Sequence, residues 1–256
     1  MSALWTLADM QEAMDARYFG KMPEEVTGIS IDTRTLQPGE AFFAIKGDQL
    51  DGHDYVNQAM KAGAAVAVIA QSRLVSFGAV RIPLLVVPDV LEALEKLGVA
   101  ARARSRAQII AVTGSAGKTS AKEMLRTALS SSALGGSAWK VHASAASFNN
   151  HWGVPLTLAR MPADARYGIF EIGMNHAGEI TPLVKMVRPH IAIITTIAPA
   201  HLGNFSTVDD IARAKAEIFA GLEPGGAALI NRDIKHFALL KKLAAEAGVE
   251  RLFSFG

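Results

Sequence analysis

The sequence predicts an α/β protein in two parts: a small α/β domain over residues 1–87 and a larger domain over 88–256 built on a mostly parallel sheet. Three observations carry this. From Gln108 onward, near-continuous apolar runs alternate with amphipathic helical stretches, the pattern of strands covered on both faces by crossover helices. The first 87 residues instead mix short β-like runs with one good helix. Between the two regions, "DVLEALEKLGVAARARS" reads as a connecting helix from Asp89. With 256 residues, 50% of them hydrophobic, the chain can bury two ordinary cores.

In the first region the expected strands are "GISIDTR", "AFFAIKG", "AAVAVIA" and "PLLVVP". The helix "YVNQAMKAGA" follows "DGHD", where Asp54 is placed to cap its first turn. In the second region strand and helix come in pairs. "QIIAVTG" precedes "KTSAKEMLRTALSSS", and "RYGIFEIGM" precedes "GEITPLVKMV". "HIAIITTI" precedes "TVDDIARAKAEIFAGL", and "GAALINR" precedes "IKHFALLKKLAAEAG". The small-residue stretch "ALSSSALGGSAW" is an expected flexible turn. The closing "RLFSFG" reads as the start of a further strand.

Composition excludes several classes. There is no cysteine, so disulfides, thiolate metal sites and cysteine nucleophiles are ruled out. A net charge of +2 and 20% charged residues, with no long block of one sign, argue against a nucleic-acid-coating surface. The N-terminus carries acids early and lacks a basic region ahead of an apolar core, unlike a signal peptide. The longest apolar runs, "AGAAVAVIA" and "IAIITTIAPA", are about half the roughly 20 residues a membrane span needs. The expectation is a cytoplasmic protein with no membrane span.

The segment "IIAVTGSAGKTSAKEML" carries the clearest chemistry. A strand runs into a small-residue loop, then Gly-Lys-Thr, then a helix, the order a phosphate loop requires. Gly114 and Gly117 let backbone N–H groups turn toward an anion, and the following helix adds its positive end. Lys118 suits phosphate charge and the Thr119 hydroxyl suits Mg²⁺. The longer G-x-x-x-x-G-K-[ST] pattern is not met, because Val112 stands where it wants glycine. The form here is T-G-x-x-G-K-T: Thr113, Gly114, Ser115, Ala116, Gly117, Lys118 and Thr119, with Ser120 next.

Ligands of open α/β sheets sit beyond the carboxyl ends of the strands, so neighbouring strand tips should supply partners. Glu171 comes late in a buried-looking strand, followed by Asn175 and His176. An acid there is either a satisfied structural group or a second Mg²⁺ ligand. His201 falls just past another strand. In the helix after it, Thr207 and Asp210 form a plausible capping pair. Ile211, Ile218, Phe219 and Leu222 mark its apolar stripe, and Lys215 falls within that stripe. Spacing alone leaves two readings of Lys215: a snorkelling stem, or a buried lysine of lowered pKa open to covalent chemistry.

Taken together and in this order, "TGSAGKTSAKEML", "SFNNHWGVPLTL", "EIGMNHAGEI", "APAHLGNF" and "AKAEIF" resemble the Mur ligases of peptidoglycan synthesis. The early "ISIDTRTLQPGEAFFAIKGDQLDGHDYV" resembles the uridine-nucleotide-binding domain of the member that joins D-Ala-D-Ala to UDP-MurNAc-tripeptide. The fold this implies is that domain followed by a phosphate-loop central domain, here incomplete. Folylpolyglutamate synthases share the short loop, so another Mur ligase or an amide ligase of that type is the alternative.

The resemblance implies ATP and Mg²⁺ as cofactors, UDP-MurNAc-tripeptide and D-Ala-D-Ala as substrates, and a monomer. Lys118 would contact the β/γ-phosphates, Thr119 and Glu171 would hold one Mg²⁺, and His201 would help hold a second. Asn149 or Asn150 would lie near the γ-phosphate, with Asn150 the preferred choice. Lys215 matches the position that the family carbamylates, which would make it a further metal ligand. Ser30, Asp32, Thr33 and Arg34 match the uridine-recognising segment, and Gly47, Asp51, Gly52 and His53 another patch of that domain. Asn175 and His176 would border the tripeptide. The family's adenine-contacting segment and third domain have no counterpart in this chain. The expectation is therefore that these residues alone bind substrate and ATP phosphates but ligate poorly or not at all.

Overall fold

The computed structural model describes residues 3–78, 82–131, 139–145, 148–200 and 203–256. The chain divides into two compact units, Met1–Ala101 and Arg102–Gly256. Most of the stretch expected as a flexible turn, and His201, lie outside the described residues.

The first unit opens with β1 (Trp5–Thr6), α1 (Leu7–Met14), β2 (Arg17–Phe19), β3 (Glu25–Val26), β4 (Gly28–Ser30) and β5 (Glu40–Phe43). α2 (Val56–Lys61), β6 (Val66–Ala70) and β7 (Leu84–Val87) follow, and then α3 (Val90–Arg104), within which the division between units falls. The main sheet has the order β2-β7-β6-β5-β4, with β2 antiparallel at its edge and the other pairings parallel. β1 and β3 form a separate antiparallel pair. The core gathers Phe42, Val56, Ala59, Ala67, Ile69 and Val86 from the sheet and α2.

Two local readings are corrected here. The strand expected over "GISIDTR" stops at Ser30. There the Ser30 hydroxyl donates to the Asp32 carbonyl at 3.1 Å, and the Asp32 carboxylate accepts from Arg34 N at 2.9 Å. Side chains that close local turns on the backbone compete with the sheet ladder. The helix expected from Tyr55 with Asp54 as its cap is entered earlier, through a 3₁₀ turn over Gly52–Tyr55 whose cap is Asp51, accepting from His53 N at 3.0 Å.

The second unit runs β8 (Gln108–Thr113), α4 (Lys118–Ser130), β9 (Val141–Ala143), α5 (Gly153–Ala159), β10 (Tyr167–Glu171) and α6 (Ile180–Val187). It continues with β11 (Ile191–Ile194), α7 (Val208–Ala216), β12 (Ala227–Asn231), α8 (Phe237–Glu246) and β13 (Arg251–Phe255). The six-stranded sheet is parallel throughout, in the order β13-β12-β11-β8-β10-β9.

Alternation along β8 explains the two-sided cover. Ile109 and Ala111 join the large cluster with Val154, Phe170, Val184 and Ile211, while Ile110 and Val112 join Ile169 and Ile193. The helix expected to run on to Leu222 ends as a 3₁₀ segment over Glu217–Gly221. That segment packs tightly on α6: a Cβ at Gly221 would come 2.3 Å from the Val184 carbonyl.

The first strand of this unit is central to its sheet. After β8 the chain goes to one side for β9 and β10, then returns to the other for β11, β12 and β13. The order therefore reverses at the carboxyl end of β8, the place where open α/β sheets leave a crevice for ligands.

Candidate active site

The loop from Thr113 to Thr119 leaves the sheet at that reversal. Gly114 has φ +154° and Gly117 has φ +78°, the latter capping α4 in the left-handed region. A side chain at Gly114 is also blocked by space, because its Cβ would fall 1.9 Å from Thr195 Oγ1. The loop is sewn to the end of β11. Ser115 N donates to the Thr196 carbonyl at 2.8 Å, and the Thr195 hydroxyl donates to the Ala116 carbonyl at 2.6 Å. The Ser115 hydroxyl donates to Ala198 O at 3.1 Å and accepts from Ala198 N at 3.0 Å. Thr195 carries no motif of its own, so nothing in the sequence marks it.

With its inner side tied down, the outer side of the loop is open: Ala116, Gly117, Thr119 and Ser120 are exposed. Lys118 Nζ donates across the loop to the Gly114 carbonyl at 2.9 Å. Thr113 is fully buried, and its hydroxyl has no hydrogen-bond partner among the described residues. An anion on the open side would meet backbone N–H groups, the positive end of α4 and the Lys118 ammonium.

Glu171, the last residue of β10, is 2% exposed. Its carboxylate accepts from the Thr119 hydroxyl at 2.9 Å and from Asn149 Nδ2 at 2.8 Å. The structure brings Asn149 to Glu171 rather than Asn150, whose side chain accepts from Gly153 N at 2.9 Å as α5 begins. Asn149 is held in turn by its carbonyl, which accepts from Gly173 N at 2.8 Å. The Thr119 hydroxyl and Glu171 carboxylate are hard oxygen donors that suit magnesium, which completes its shell with phosphate and water. Among the described residues no three His, Cys, Asp or Glu side chains converge on a metal position.

Lys215, near the end of α7, is 1% exposed and does not snorkel. Burial, followed by the nearby Lys118 charge, lowers its pKa to about 8. A lysine so placed is partly neutral near physiological pH and nucleophilic as the free amine.

Asn175 and His176 lie in an exposed loop held by two carboxylates. Glu179 accepts from Asn175 N at 2.7 Å and meets His176 Nδ1 at 2.9 Å. Burial pushes the Glu179 carboxyl up, but the Asn175 N–H and the His176 ring outweigh it and leave it below its usual range. Glu217, two residues past Lys215, accepts from Gly178 N at 2.6 Å, Thr181 N at 3.0 Å and the Thr181 hydroxyl at 3.0 Å.

In the first unit, Ser30 is buried and Asp32, Thr33 and Arg34 follow it in the turn after β4. The Arg34 guanidinium forks onto Asp32, at 2.9 Å from Nε to Oδ1 and 2.6 Å from the terminal nitrogen to Oδ2. That hydrogen bonding holds the Asp32 carboxyl below its usual range. His53 is buried; its Nε2 accepts from Ala70 N at 2.9 Å, so its Nδ1 carries the proton toward Asp51.

A glycine-rich loop between strand and helix, with an acid at the neighbouring strand tip, defines a phosphate-loop α/β protein, and comparison with known proteins gives its family. Residues 112–256 match the Mur ligase middle domain and residues 25–94 match the Mur ligase family catalytic domain. The chain belongs to the Mur ligase family. Within it, two similar curated proteins bear the same name. UDP-N-acetylmuramoyl-tripeptide–D-alanyl-D-alanine ligase of Haemophilus influenzae is 36% identical over 233 residues, covering 91% of this chain and 50% of that one. Its Escherichia coli counterpart is 40% identical over 205 residues, covering 80% and 43%. A crystal structure of MurF from Acinetobacter baumannii superposes with TM-score 0.82 at 34% identity, covering 98% of this chain and 53% of that one. MurF of Thermotoga maritima in complex with ADP shares the fold, with TM-score 0.70 at 23% identity over 89% of this chain and 49% of that one. The chain thus spans about half the length of the curated relatives it matches.

Proposed function

We propose that this chain carries the uridine-nucleotide-binding domain (1–87) and central ATPase domain (88–256) of a UDP-MurNAc-tripeptide–D-Ala-D-Ala ligase. The observation that carries the reading is the hydrogen-bonded set Thr119–Glu171–Asn149 beside the Gly114–Lys118 loop at the carboxyl end of β8. In the reaction, the tripeptide carboxylate takes the γ-phosphoryl group of ATP, releasing ADP and giving an acyl phosphate; the amine of D-Ala-D-Ala then attacks the acyl carbon, losing a proton as phosphate leaves and the amide forms. Lys118 and the loop N–H groups hold the phosphates and offset charge as it moves. Thr119 and Glu171 would hold one Mg²⁺, which would supply Lewis-acid charge neutralisation. Asn149 orients the Glu171 carboxylate. His201 and a carbamylated Lys215 would help hold a second Mg²⁺. Ser30, Asp32, Thr33 and Arg34 recognise the uridine nucleotide, and Asn175 and His176 border the tripeptide. The protein acts as a cytoplasmic monomer.

Binding tests the reading directly. Titrating the 256-residue chain with a fluorescent MgATP analogue and, separately, with UDP-MurNAc-tripeptide is expected to give saturable binding of each. A folded chain that bound neither would remove the assignment.

A further inference from the structure

A buried lysine stands behind the phosphate loop. Lys122 is 1% exposed and lies one turn beyond Lys118 on the same face of α4. Its ammonium donates to the Ser144 carbonyl at 2.8 Å and lies 3.3 Å from Glu123 Oε1. Glu123 is itself engaged by Arg126 at 2.7 Å and is nearly half exposed, so it is a partial counter-charge. Burying an ammonium costs several kcal/mol in effective terms, and an apolar side chain of similar length would fill the same space without that cost. The charge must do something else.

What it holds is the residue after β9. Ser144 N donates to the Ile169 carbonyl of β10 at 3.1 Å. The Ser144 hydroxyl accepts from Glu171 N at 3.3 Å. Glu171 closes the circuit back to α4 through the Thr119 hydroxyl. The links therefore form a ring: Lys122 to Ser144, Ser144 to Glu171, Glu171 to Thr119, and Thr119 to Lys122 along one helical turn. Three elements meet in it, and the Lys122 link ties the short strand β9 to the helix that carries the phosphate loop.

We propose that Lys122 is a positioning residue: by anchoring Ser144 it fixes the Glu171 carboxylate in the orientation in which Glu171 and Thr119 together receive a magnesium–phosphate ligand. The inference rests on the phosphate-site reading above and adds to it a residue behind the metal position. Groups that orient ligating carboxylates typically contribute about 10–100-fold in metal affinity.

The test uses the 256-residue chain, a fluorescent ADP analogue titrated with and without Mg²⁺, and thermal unfolding. Lys122→Met leaves the buried Ser144 carbonyl without its donor and is expected to fold but melt a few degrees below wild type. It is expected to keep magnesium-free affinity within about twofold while losing about tenfold or more of the strengthening magnesium brings. Ser144→Ala leaves the carbonyl that Lys122 uses but removes the acceptor of Glu171 N, and is expected to show the same selective loss. The double variant should be no worse than either single one, as for two links of one chain. Intact magnesium dependence in Lys122→Met overturns the proposal, whatever the melting temperature. So does an equal loss with and without magnesium. Should Lys122→Met not fold, Ser144→Ala decides alone by the same criterion. A wild-type chain whose nucleotide binding ignored magnesium would bring down the phosphate-site reading itself, and that result is read before any variant is made.

Discussion

Lys215 shows how position alone alters a side chain's chemistry. On the surface its amine would be protonated at neutral pH; buried beside Lys118, its pKa falls to about 8. That makes it a competent acceptor for CO₂. Incubation with isotopically labelled bicarbonate is expected to give a carbamate signal that Lys215→Met lacks, and an unlabelled wild-type protein would refute the assignment. A half-buried group works through pH. His142 donates from Nε2 to the Thr157 carbonyl at 2.8 Å, and burial, with Arg160 adding to it, lowers its pKa to about 4. Because the folded state holds the proton less tightly than the unfolded chain, stability is full above pH ~6.5 and is lost as pH falls toward about 4. By about pH 5 the loss from this group alone should approach ~2 kcal/mol, and chemical denaturation of His142→Gln should show a correspondingly flatter acid limb. Nothing in "VHASAA" marks this, since a histidine in a short run of small residues is unremarkable until the fold packs its ring against Phe170 and Thr157.

Among the elements, α6 is capped from outside itself. Its own N-cap residue, Glu179, makes no capping bond and turns back to Asn175 and His176. Glu217 supplies the missing acceptor from the 3₁₀ segment after α7. Glu217→Ala is expected to cost about 1–2 kcal/mol, seen as a melting temperature lower by a few degrees. It should also speed hydrogen exchange at Gly178 and Thr181, while exchange along β8 stays unchanged. Sequence reading caught the reciprocal Thr207–Asp210 cap of α7, where Asp210 N donates to Thr207 Oγ1 at 3.1 Å and Thr207 N to Asp210 Oδ2 at 2.9 Å. It could not catch Glu217, because that bond spans 39 residues. Local caps are written in neighbouring letters; remote ones exist only after helices pack.

For the molecule as a whole, the two units carry separable binding tasks under the proposed function. Lys118→Ala should abolish nucleotide binding and leave the UDP-substrate titration alone. Arg34→Ala should do the reverse, weakening the UDP substrate about tenfold or more. The exposed Arg34–Asp32 pair contributes little to stability, so Arg34→Ala should also melt at the wild-type temperature. Identical defects in both variants would refute the division. No helix among the described residues is long and apolar enough to cross a membrane. The two-part α/β organisation and the phosphate loop were legible because they depend on local pattern: apolar runs, glycine spacing, a lysine and a hydroxyl at a helix start. β9 was not legible, since three half-buried residues carry no period to read.

Residue types and their spacing determined by themselves where the Gly114–Thr119 loop lies, which strand carries Glu171, and which helix stripe contains Lys215. These follow from short-range geometry, in which a strand alternates and a helix repeats. The tertiary structure alone decided that β8 is the centre of the sheet, that Asn149 and not Asn150 meets Glu171, and that Lys122 and Lys215 are buried. The reason is that strand order and burial come from pairings between residues far apart in the chain, and a hydrogen bond such as Lys122 to Ser144 has no partner until α4 and β9 lie side by side.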